Sequence, residues 1–360
     1  MKRVDLILLI SVVMISLFGL IMIYSASYVW AEYKFNDPYK FLKTQGIFLI
    51  ISYVIMILVS NVDYRKYRDK VNIIFGVCFL LLILVLIPGV GSVRNGSRSW
   101  FGIGSFGIQP SEFTKLAMIM FTSKYLMKNE RFLKNIKKGV FPILGILMLV
   151  FFLIMLQPDF GTGIVIVMTI IVLLFISGVR MGFFMKLTSL GLVGIAGLIV
   201  VAPYRLQRIL SFLNPWQDPL GSGFQIIQSM YAIGPGGLLG MGIGNSIQKH
   251  FYLPEPQTDF IFSIISEEFG FMGVLIVSIL FITIIVRGFM ISIKTENKFG
   301  KFLSFGITFG LAFQALLNLM VVVGLVPVTG VTLPFLSYGG SSLIVTMISV
   351  GILLNISRCN

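Results

Sequence analysis

The sequence predicts an all-α integral membrane protein with about ten transmembrane helices and no separate soluble domain. Of its 360 residues, 57% are hydrophobic and only 12% are charged, whereas an ordinary soluble domain has roughly 45–50% apolar and about 25% charged residues. Apolar runs that can cross about 30 Å of hydrocarbon at 1.5 Å per residue recur along the whole chain. Residues 1–360 are therefore interpreted as a single polytopic membrane domain.

Ten apolar segments define the predicted spans in chain order. They are residues 6–28, 43–60, 72–88, 111–127, 140–156, 161–179, 186–202, 260–286, 302–324 and 341–356. The first segment follows a basic start and ends near the small residues 25–27, a pattern that also fits a secretory signal peptide. Its apolar run is longer than a usual signal core, which favours an uncleaved helix.

Basic residues set the predicted orientation. An even number of spans places both termini on one side, together with the Lys- and Arg-rich connections 65–70, 128–138 and 287–301. The positive-inside rule assigns this side to the cytoplasm. Topology thus explains most of the net charge of +14, and nucleic acid is not a predicted partner.

Cysteine and histidine exclude several classes of site. Cys78 lies inside a predicted span and Cys359 in the cytoplasmic tail, so no disulfide is expected. His250 is the only histidine. A zinc site or a Ser-His-Asp triad would need partners that this sequence does not contain.

The connections on the opposite side differ in composition from the basic ones. They are residues 29–42, 89–110, 157–160, 203–259 and 325–340, and they are rich in Gly, Pro and aromatic residues. Connection 203–259 is far longer than usual, so it is either functional or disordered. Its aromatic and apolar content opposes disorder, and we expect it to pack partly into the membrane surface. Pro110 and Pro158, each followed by an acid, are interpreted as helix-start chemistry.

Three acidic residues on this side are candidates for chemistry: Asp218, Glu255 and Asp259. Asp259 stands in LPEPQTDFIF, where a polar segment meets an apolar run. It is either a helix N-cap or a functional carboxylate. Asp218 follows the candidate substrate contact Trp216 between two prolines, and it is either a turn residue or part of a site.

Six basic residues lie on this predicted outer side, where the positive-inside rule disfavours them. They are Arg94, Arg98, Lys115, Arg205, Arg208 and Lys249. Binding of diphosphate or phospholipid head groups would explain them, since guanidinium groups match phosphate oxygens bidentately. Snorkelling and simple solvation are the alternatives.

Two further sets lie within or next to predicted spans. Glu112 and Lys115 share a helix face and form either a structural ion pair or part of a cavity. Of the adjacent pair Glu267 and Glu268, we expect at most one to face the same cavity as Asp259. The passage TGVTLPFLSYGGSS contributes Ser337, Gly339 and Gly340 as candidate substrate contacts. Its glycines permit either a broken helix or tight helix packing.

These motifs together resemble the SEDS family (shape, elongation, division and sporulation), which includes FtsW, RodA and SpoVE. The resemblance covers essentially the whole chain, through YSAS, GVGSVRNGSRSW, IQPSEFTKL, QPDFGTG, APYRLQRILSFLNPWQDPLGSGFQ, LPEPQTDFIF and LPFLSYGGSS. Within the family, the chain is most similar to SpoVE and to Gram-positive FtsW proteins. No core motif departs from the family pattern.

The resemblance implies a peptidoglycan glycosyltransferase that polymerises lipid II at the outer face of the plasma membrane, in cell division or spore cortex synthesis. It implies that Asp259 is the essential aspartate and that Glu112 and Lys115 are the charged pair of the fourth helix. The implied partners are undecaprenyl-diphosphate-linked glycan and a class B penicillin-binding protein, the transpeptidase. A lipid II flippase and a scaffold for other wall enzymes are the alternatives. A divalent cation, Mg²⁺ or Mn²⁺, held by Asp259 and Glu255 is compatible with the sequence but not required by it.

Overall fold

The computed structural model describes residues 4–94, 96–102, 107–189, 191, 212–221 and 223–359. The helices are α1 (Leu6–Phe35), α2 (Lys40–Asn61), α3 (Tyr64–Leu84), α4 (Pro110–Asn129), α5 (Phe141–Met155), α6 (Phe160–Ile176), α7 (Phe224–Ile233), α8 (Ile261–Lys294), α9 (Lys298–Val322) and α10 (Gly340–Cys359). A π-helical turn, Ile136–Val140, leads into α5. The strands β1 (Ser92–Arg94) and β2 (Ser97–Trp100) form an antiparallel hairpin.

The helices fall where the sequence predicts membrane spans. In the described part of the chain, α1, α2, α8, α9, α10 and the continuous segment Ile136–Met155 are long and apolar enough to cross a membrane. Helices α3, α4 and α6 occupy three further predicted spans. The predicted seventh span, 186–202, begins within helical residues 181–189, and its remainder lies outside the described residues. The chain is a predominantly helical membrane protein.

Several boundaries differ from the sequence prediction. Helix α1 continues to Phe35 and α8 to Lys294, so polar residues beyond the apolar runs are also helical. The predicted connection 29–42 is reduced to residues 36–39 between α1 and α2. The β1–β2 hairpin was not predicted from the sequence, because its strands are only three and four residues long.

Helix starts follow the expected capping chemistry. Asp159 is the N-cap of α6, and its Oδ1 accepts a hydrogen bond from the Thr162 backbone N–H at 3.2 Å. Pro110 occupies the first turn of α4, where no helical N–H is needed. Both Gln-Pro motifs thus precede or begin a helix as expected, but only Pro110 lies in a first turn, because Pro158 comes before the Asp159 cap.

Both chain ends lie on one face of the bundle. Asp5, the N-cap of α1, forms an ion pair with Arg287 of α8 at 2.7 Å. The Asp5 backbone N–H donates to Ser357 Oγ near the end of α10. The start of α3 joins the same face, since the Tyr64 N–H donates to Asn355 Oδ1 at 2.8 Å. Helix α1 therefore carries residues Trp30–Phe35 to the opposite face.

Helix α8 is interrupted within the span. Gly270 has φ +59° and ψ −154°, a conformation in which only glycine is unstrained. A loop at residues 237–242 fills the interruption. The Phe271 and Met272 N–H groups donate to the Gly237 and Leu238 carbonyls, while the Met241 and Gly242 N–H groups donate to the Glu267 and Glu268 carbonyls, all at 2.9–3.1 Å. The long connection thus enters the bundle and replaces part of the hydrogen-bond ladder of α8.

Candidate active site

A cavity of about 770 Å³ opens on the face opposite the termini. Its walls come from the end of α1, the β1–β2 hairpin, the starts of α2, α4 and α6, and the residues before α8 and α10. The predicted site residues Glu112, Lys115, Glu255, Asp259, Gly339 and Gly340 line it. Segments that are distant in sequence therefore meet in one concave site, which is the usual form of a small-molecule site.

Asp259 lies in the wall of this cavity, two residues before α8 begins. The N-cap of α8 is Phe260, and no side chain caps that helix. The hypothesis that Asp259 holds its place by capping is therefore wrong. Its backbone carbonyl instead accepts a hydrogen bond from Asn318 Nδ2 of α9 at 2.7 Å, and the same nitrogen donates to the Val331 carbonyl. Asn318 thus fixes the backbone on both sides of the site while the Asp259 carboxylate is left to the cavity.

The electrostatic surroundings favour a basic Asp259. Burial raises the pKa of Asp259 to about 6, with further contributions from the negative charges of Glu255 and Asp159. No ion pair reaches Asp259 from the described residues. A carboxylate with such a pKa is still mostly ionised at neutral pH and is a better proton acceptor than an ordinary aspartate.

A second acid, Asp159, borders the same cavity. Its Oδ2 accepts hydrogen bonds from Gln109 Nε2 at 3.0 Å and from Ser111 Oγ at 2.9 Å. Burial raises the pKa of Asp159, and hydrogen bonds from Thr162 and Ser111 partly offset this rise. The start of α4 is thereby tied to the start of α6.

The predicted pair Glu112 and Lys115 forms an ion pair at 2.8 Å on α4. Lys115 Nζ also donates to Gln314 Oε1 of α9 at 2.6 Å, and Gln314 Nε2 donates to the Thr332 carbonyl. Both charged side chains are buried but border the cavity. The pair thus joins α4, α9 and the segment before α10.

The glycine- and serine-rich passage, residues 329–342, makes different contacts at different positions. Gly330 faces Asp259, because a Cβ built at position 330 would lie 3.7 Å from Asp259 Oδ2. Gly340 begins α10 and packs against the Phe48 ring, which supports the tight-packing alternative. Ser337 does not line the cavity. Its hydroxyl donates to the Thr258 carbonyl at 2.7 Å and so supports the backbone next to Asp259.

Lys249 lies elsewhere, in a cluster with the two adjacent glutamates. It is almost fully buried and forms an ion pair with Glu268 at 2.8 Å. Glu267 accepts hydrogen bonds from the Ile247 and Gln248 N–H groups. Neither glutamate lines the Asp259 cavity, and Lys249 is not exposed to a substrate. The expectation that at most one of the glutamates faces this cavity therefore holds, whereas the expected substrate contact of Lys249 is not supported.

The remaining predicted contacts also lie outside the cavity wall. Arg98 is on β2, and Trp216 packs against the Tyr231 ring with centroids 6.0 Å apart. Asp218 sits in a turn where its carbonyl accepts hydrogen bonds from the Gly221 and Gly223 N–H groups, as its structural alternative predicts. Arg205 and Arg208 lie outside the described residues.

The acidic wall gives limited support for a metal. Among the described residues, no group of three or more His, Cys, Asp or Glu side chains could hold a metal ion. Asp259 and Glu255 would provide two carboxylates at most, so a cation here would need oxygens from a ligand to complete its coordination.

Sequence reasoning did not identify every residue of the site. Asp159 was interpreted only as a helix-start residue, although QPDFGTG places an acid at a membrane edge. Gln314 and Asn318 lie four residues apart within the apolar helix α9, so they share a face. Polar side chains inside a span are a signal of function that could have been used.

Comparisons with known proteins agree over the whole chain. The family model for FtsW, RodA and SpoVE, described as cell cycle protein, matches residues 5–360. Stage V sporulation protein E of Bacillus subtilis is 54% identical over 354 residues, which cover 98% of this chain and 97% of that protein. A probable peptidoglycan glycosyltransferase FtsW of Geobacter metallireducens is 43% identical over 357 residues, covering 99% and 95% of the two chains.

Solved structures show the same fold. A chain from a peptidoglycan synthase complex that coordinates polymerization and crosslinking has a TM-score of 0.83 and 31% identity, and the match covers 100% of this chain and 99% of that one. The rod shape determining protein RodA of Thermus thermophilus has a TM-score of 0.70 and 27% identity, with 99% and 97% of the chains covered.

Proposed function

Because the chain belongs to the FtsW, RodA and SpoVE family of cell cycle proteins, we propose that it is a peptidoglycan glycosyltransferase that polymerises lipid II into glycan strands. The similarity to SpoVE and FtsW expected from the motifs is confirmed by the identities above. The observation that carries the proposal is the position of Asp259 in the cavity, with a raised pKa and no ion-pair partner among the described residues.

The geometry supports a direct displacement. The 4-hydroxyl of one GlcNAc attacks the anomeric carbon of MurNAc in the growing chain, and the bond from that carbon to undecaprenyl diphosphate breaks with inversion. Asp259 accepts the hydroxyl proton, a function worth about 10²- to 10⁴-fold in rate. The diphosphate leaves with the bonding electron pair and needs positive groups to stabilise its charge. A polymerisation rate that is unchanged in EDTA would argue against a catalytic metal.

The direct test is the formation of glycan strands from purified lipid II by the protein reconstituted in liposomes. We expect Asp259→Asn to lower the rate by about 10²- to 10⁴-fold while the protein remains folded, because Asn is nearly isosteric. The matched control is Asp69→Asn, which changes a 72% exposed carboxylate near the start of α3. A rate for Asp259→Asn close to that of the wild type would eliminate Asp259 as the base.

The same assay separates polymerase from flippase. Lipid II supplied from outside reaches an outward-facing polymerase without crossing the membrane, whereas a flippase alone produces no strands from it. Absence of strands with the wild-type protein, together with transfer of lipid II between leaflets, would favour the flippase.

The orientation and partner form part of the proposal. The face that contains the termini also carries the basic connections, so we place it in the cytoplasm and the Asp259 cavity at the outer surface of the plasma membrane. The fold similarity to a chain of a polymerizing and crosslinking complex supports a class B penicillin-binding protein as partner. A septal or forespore location would follow from the similarity to FtsW and SpoVE.

A further inference from the structure

Among the described cations that line the cavity, one has a buried nitrogen without a hydrogen-bond acceptor. The described cations that line it are Lys34, Lys40, Arg94 and Lys115. Lys115 is neutralised by Glu112, as shown above. Lys34 and Lys40 lie at the rim against aromatic rings, with Lys34 Nζ 4.3 Å from the centroid of Trp30 and Lys40 Nζ 3.3 Å from that of Phe35. Arg94 differs from all three, because its Nη2 nitrogen is buried and has no hydrogen-bond acceptor among the described residues.

The protein holds the Arg94 guanidinium in a fixed position. Arg94 ends strand β1, opposite Ser97 of β2. Its guanidinium carbon lies 4.8 Å from the centroid of the Trp100 ring. On another side it packs against Gly107, where a Cβ would come within 2.5 Å of Nη2 and 2.6 Å of Nη1. A side chain at residue 107 would therefore displace the guanidinium from this position.

The Arg94 guanidinium and the Asp259 carboxylate are separate charges in the cavity. Among the described residues, no ion pair joins Arg94 to Asp259 or to Asp159. A buried N–H donor without an acceptor is costly, and a bound anion would relieve that cost at Nη2. Guanidinium also matches phosphate oxygens better than an ammonium does, because its N–H groups form a planar fork.

Resting on the proposed function, we infer that Arg94 binds the diphosphate of a lipid-linked saccharide, with Gly107 as the residue that makes room for it. The assignment selects Arg94 from the cations considered in the sequence, since Arg98 and Lys249 lie outside the cavity and Lys115 is already paired. The diphosphate then lies in the same cavity as the base Asp259 but on a different wall. Lys34 and Lys40 at the rim would attract the anion as it enters.

The first experiment measures polymerisation rate against lipid II concentration, together with inhibition by farnesyl diphosphate. Arg94→Gln is expected to raise KM and to weaken inhibition by about 10- to 100-fold, the range for loss of a charged hydrogen bond. Arg94→Lys keeps the charge but loses the fork, so a smaller effect is expected. Gly107→Ala should resemble Arg94→Gln, because its Cβ occupies the place of the guanidinium.

The control is Lys43→Gln, which removes an exposed cation that is paired with Asp37 and does not line the cavity. It should leave KM and inhibition unchanged. If Arg94→Gln remains folded with unchanged KM and unchanged inhibition, the inference is overturned. If Arg94→Gln does not fold, Gly107→Ala provides the test instead. Unchanged KM and unchanged inhibition in a folded Gly107→Ala protein would also overturn the inference.

A binding arm separates failure of the inference from failure of the proposed function. Radiolabelled farnesyl diphosphate is bound to wild-type protein and to Arg94→Gln without any turnover. Weaker binding to the variant supports the site even if the wild-type protein makes no strands, and equal binding overturns it. Phosphatidylglycerol vesicles are added as competitor. If these vesicles displace the radiolabelled farnesyl diphosphate as effectively as the unlabelled compound does, the site binds phospholipid head groups. That result would also overturn the inference.

Discussion

The Asp259 cavity and the Lys249–Glu268 cluster are built from the same kinds of side chain, and they differ in how the charges are compensated. In the cluster, the Lys249 and Glu268 side chains have no exposed surface, and Glu268 also accepts a hydrogen bond from Ser25 Oγ at 2.7 Å. In the cavity, Asp259 has no ion-pair partner among the described residues. Full compensation gives a rigid element of structure, whereas an uncompensated charge facing a cavity is free to act on a ligand.

The largest effect on stability should come from Lys249→Met. The substitution leaves Glu268 buried without its cation, and removal of one partner of a buried ion pair costs about 3–5 kcal/mol. We expect a large fall in the melting temperature of the protein in detergent, measured by size-exclusion fluorescence. The double variant Lys249→Met, Glu268→Gln should regain much of the loss. A normally stable Lys249→Met protein that no longer polymerises lipid II would show that the cluster is functional after all.

The corresponding substitution in the cavity, Lys115→Met, should change stability less and activity more. Glu112 borders the cavity, so water can hydrate its carboxylate once the partner is gone. The expected result is a smaller fall in melting temperature than for Lys249→Met, together with slower strand formation per folded molecule. Equal melting temperatures for the two lysine variants would contradict the distinction between the regions.

A third prediction concerns the interruption of α8 beside the cluster. Gly270→Ala places a side chain at φ +59° and against the backbone of the 237–242 loop. A cost of about 1–3 kcal/mol is typical for such backbone strain, and the melting temperature should fall accordingly. Gly46→Ala on α2 is the control, because a Cβ there meets no atom within 4 Å. A loss of stability in Gly46→Ala as large as in Gly270→Ala would rule out the loop contact as the cause.

The smallest predicted effect is a shift in pH dependence. Asp259 must be ionised to accept a proton, so the rate at low lipid II concentration should fall as the pH drops through about 6. Glu255→Gln removes a negative charge that raises the pKa of Asp259, so the fall should move to lower pH. Since burial is the largest cause, we expect a partial shift only. A shift to higher pH would contradict the assigned sign.

The membrane spans could be predicted from the sequence because apolar length is a local property. The coincidence of the fourth, sixth and eighth predicted spans with α4, α6 and α8 shows this. The position of Asp259 at a helix start was also predictable. Its backbone support by Asn318 was not, because residues 259 and 318 meet only in the folded bundle.

Lys249 shows where sequence reasoning fails. A lysine in a long polar connection is expected to face water, yet its connection enters the bundle and brings Lys249 to Glu268. The interruption at Gly270 that admits the connection leaves no local pattern in an otherwise apolar span. Arg94 was recognised as an out-of-place cation, but its ordering by Trp100 and Gly107 depends on the hairpin.

The loop within α8 has a consequence for biogenesis. Residues 237–242 are synthesised before α8, and in the folded protein they accept from Phe271 and Met272 and donate to the Glu267 and Glu268 carbonyls. Unpaired peptide groups are strongly disfavoured in hydrocarbon. A bent α8 without its loop would expose four such groups to lipid. The hydrogen bonds of α8 on both sides of Gly270 are therefore complete only when this earlier segment is docked.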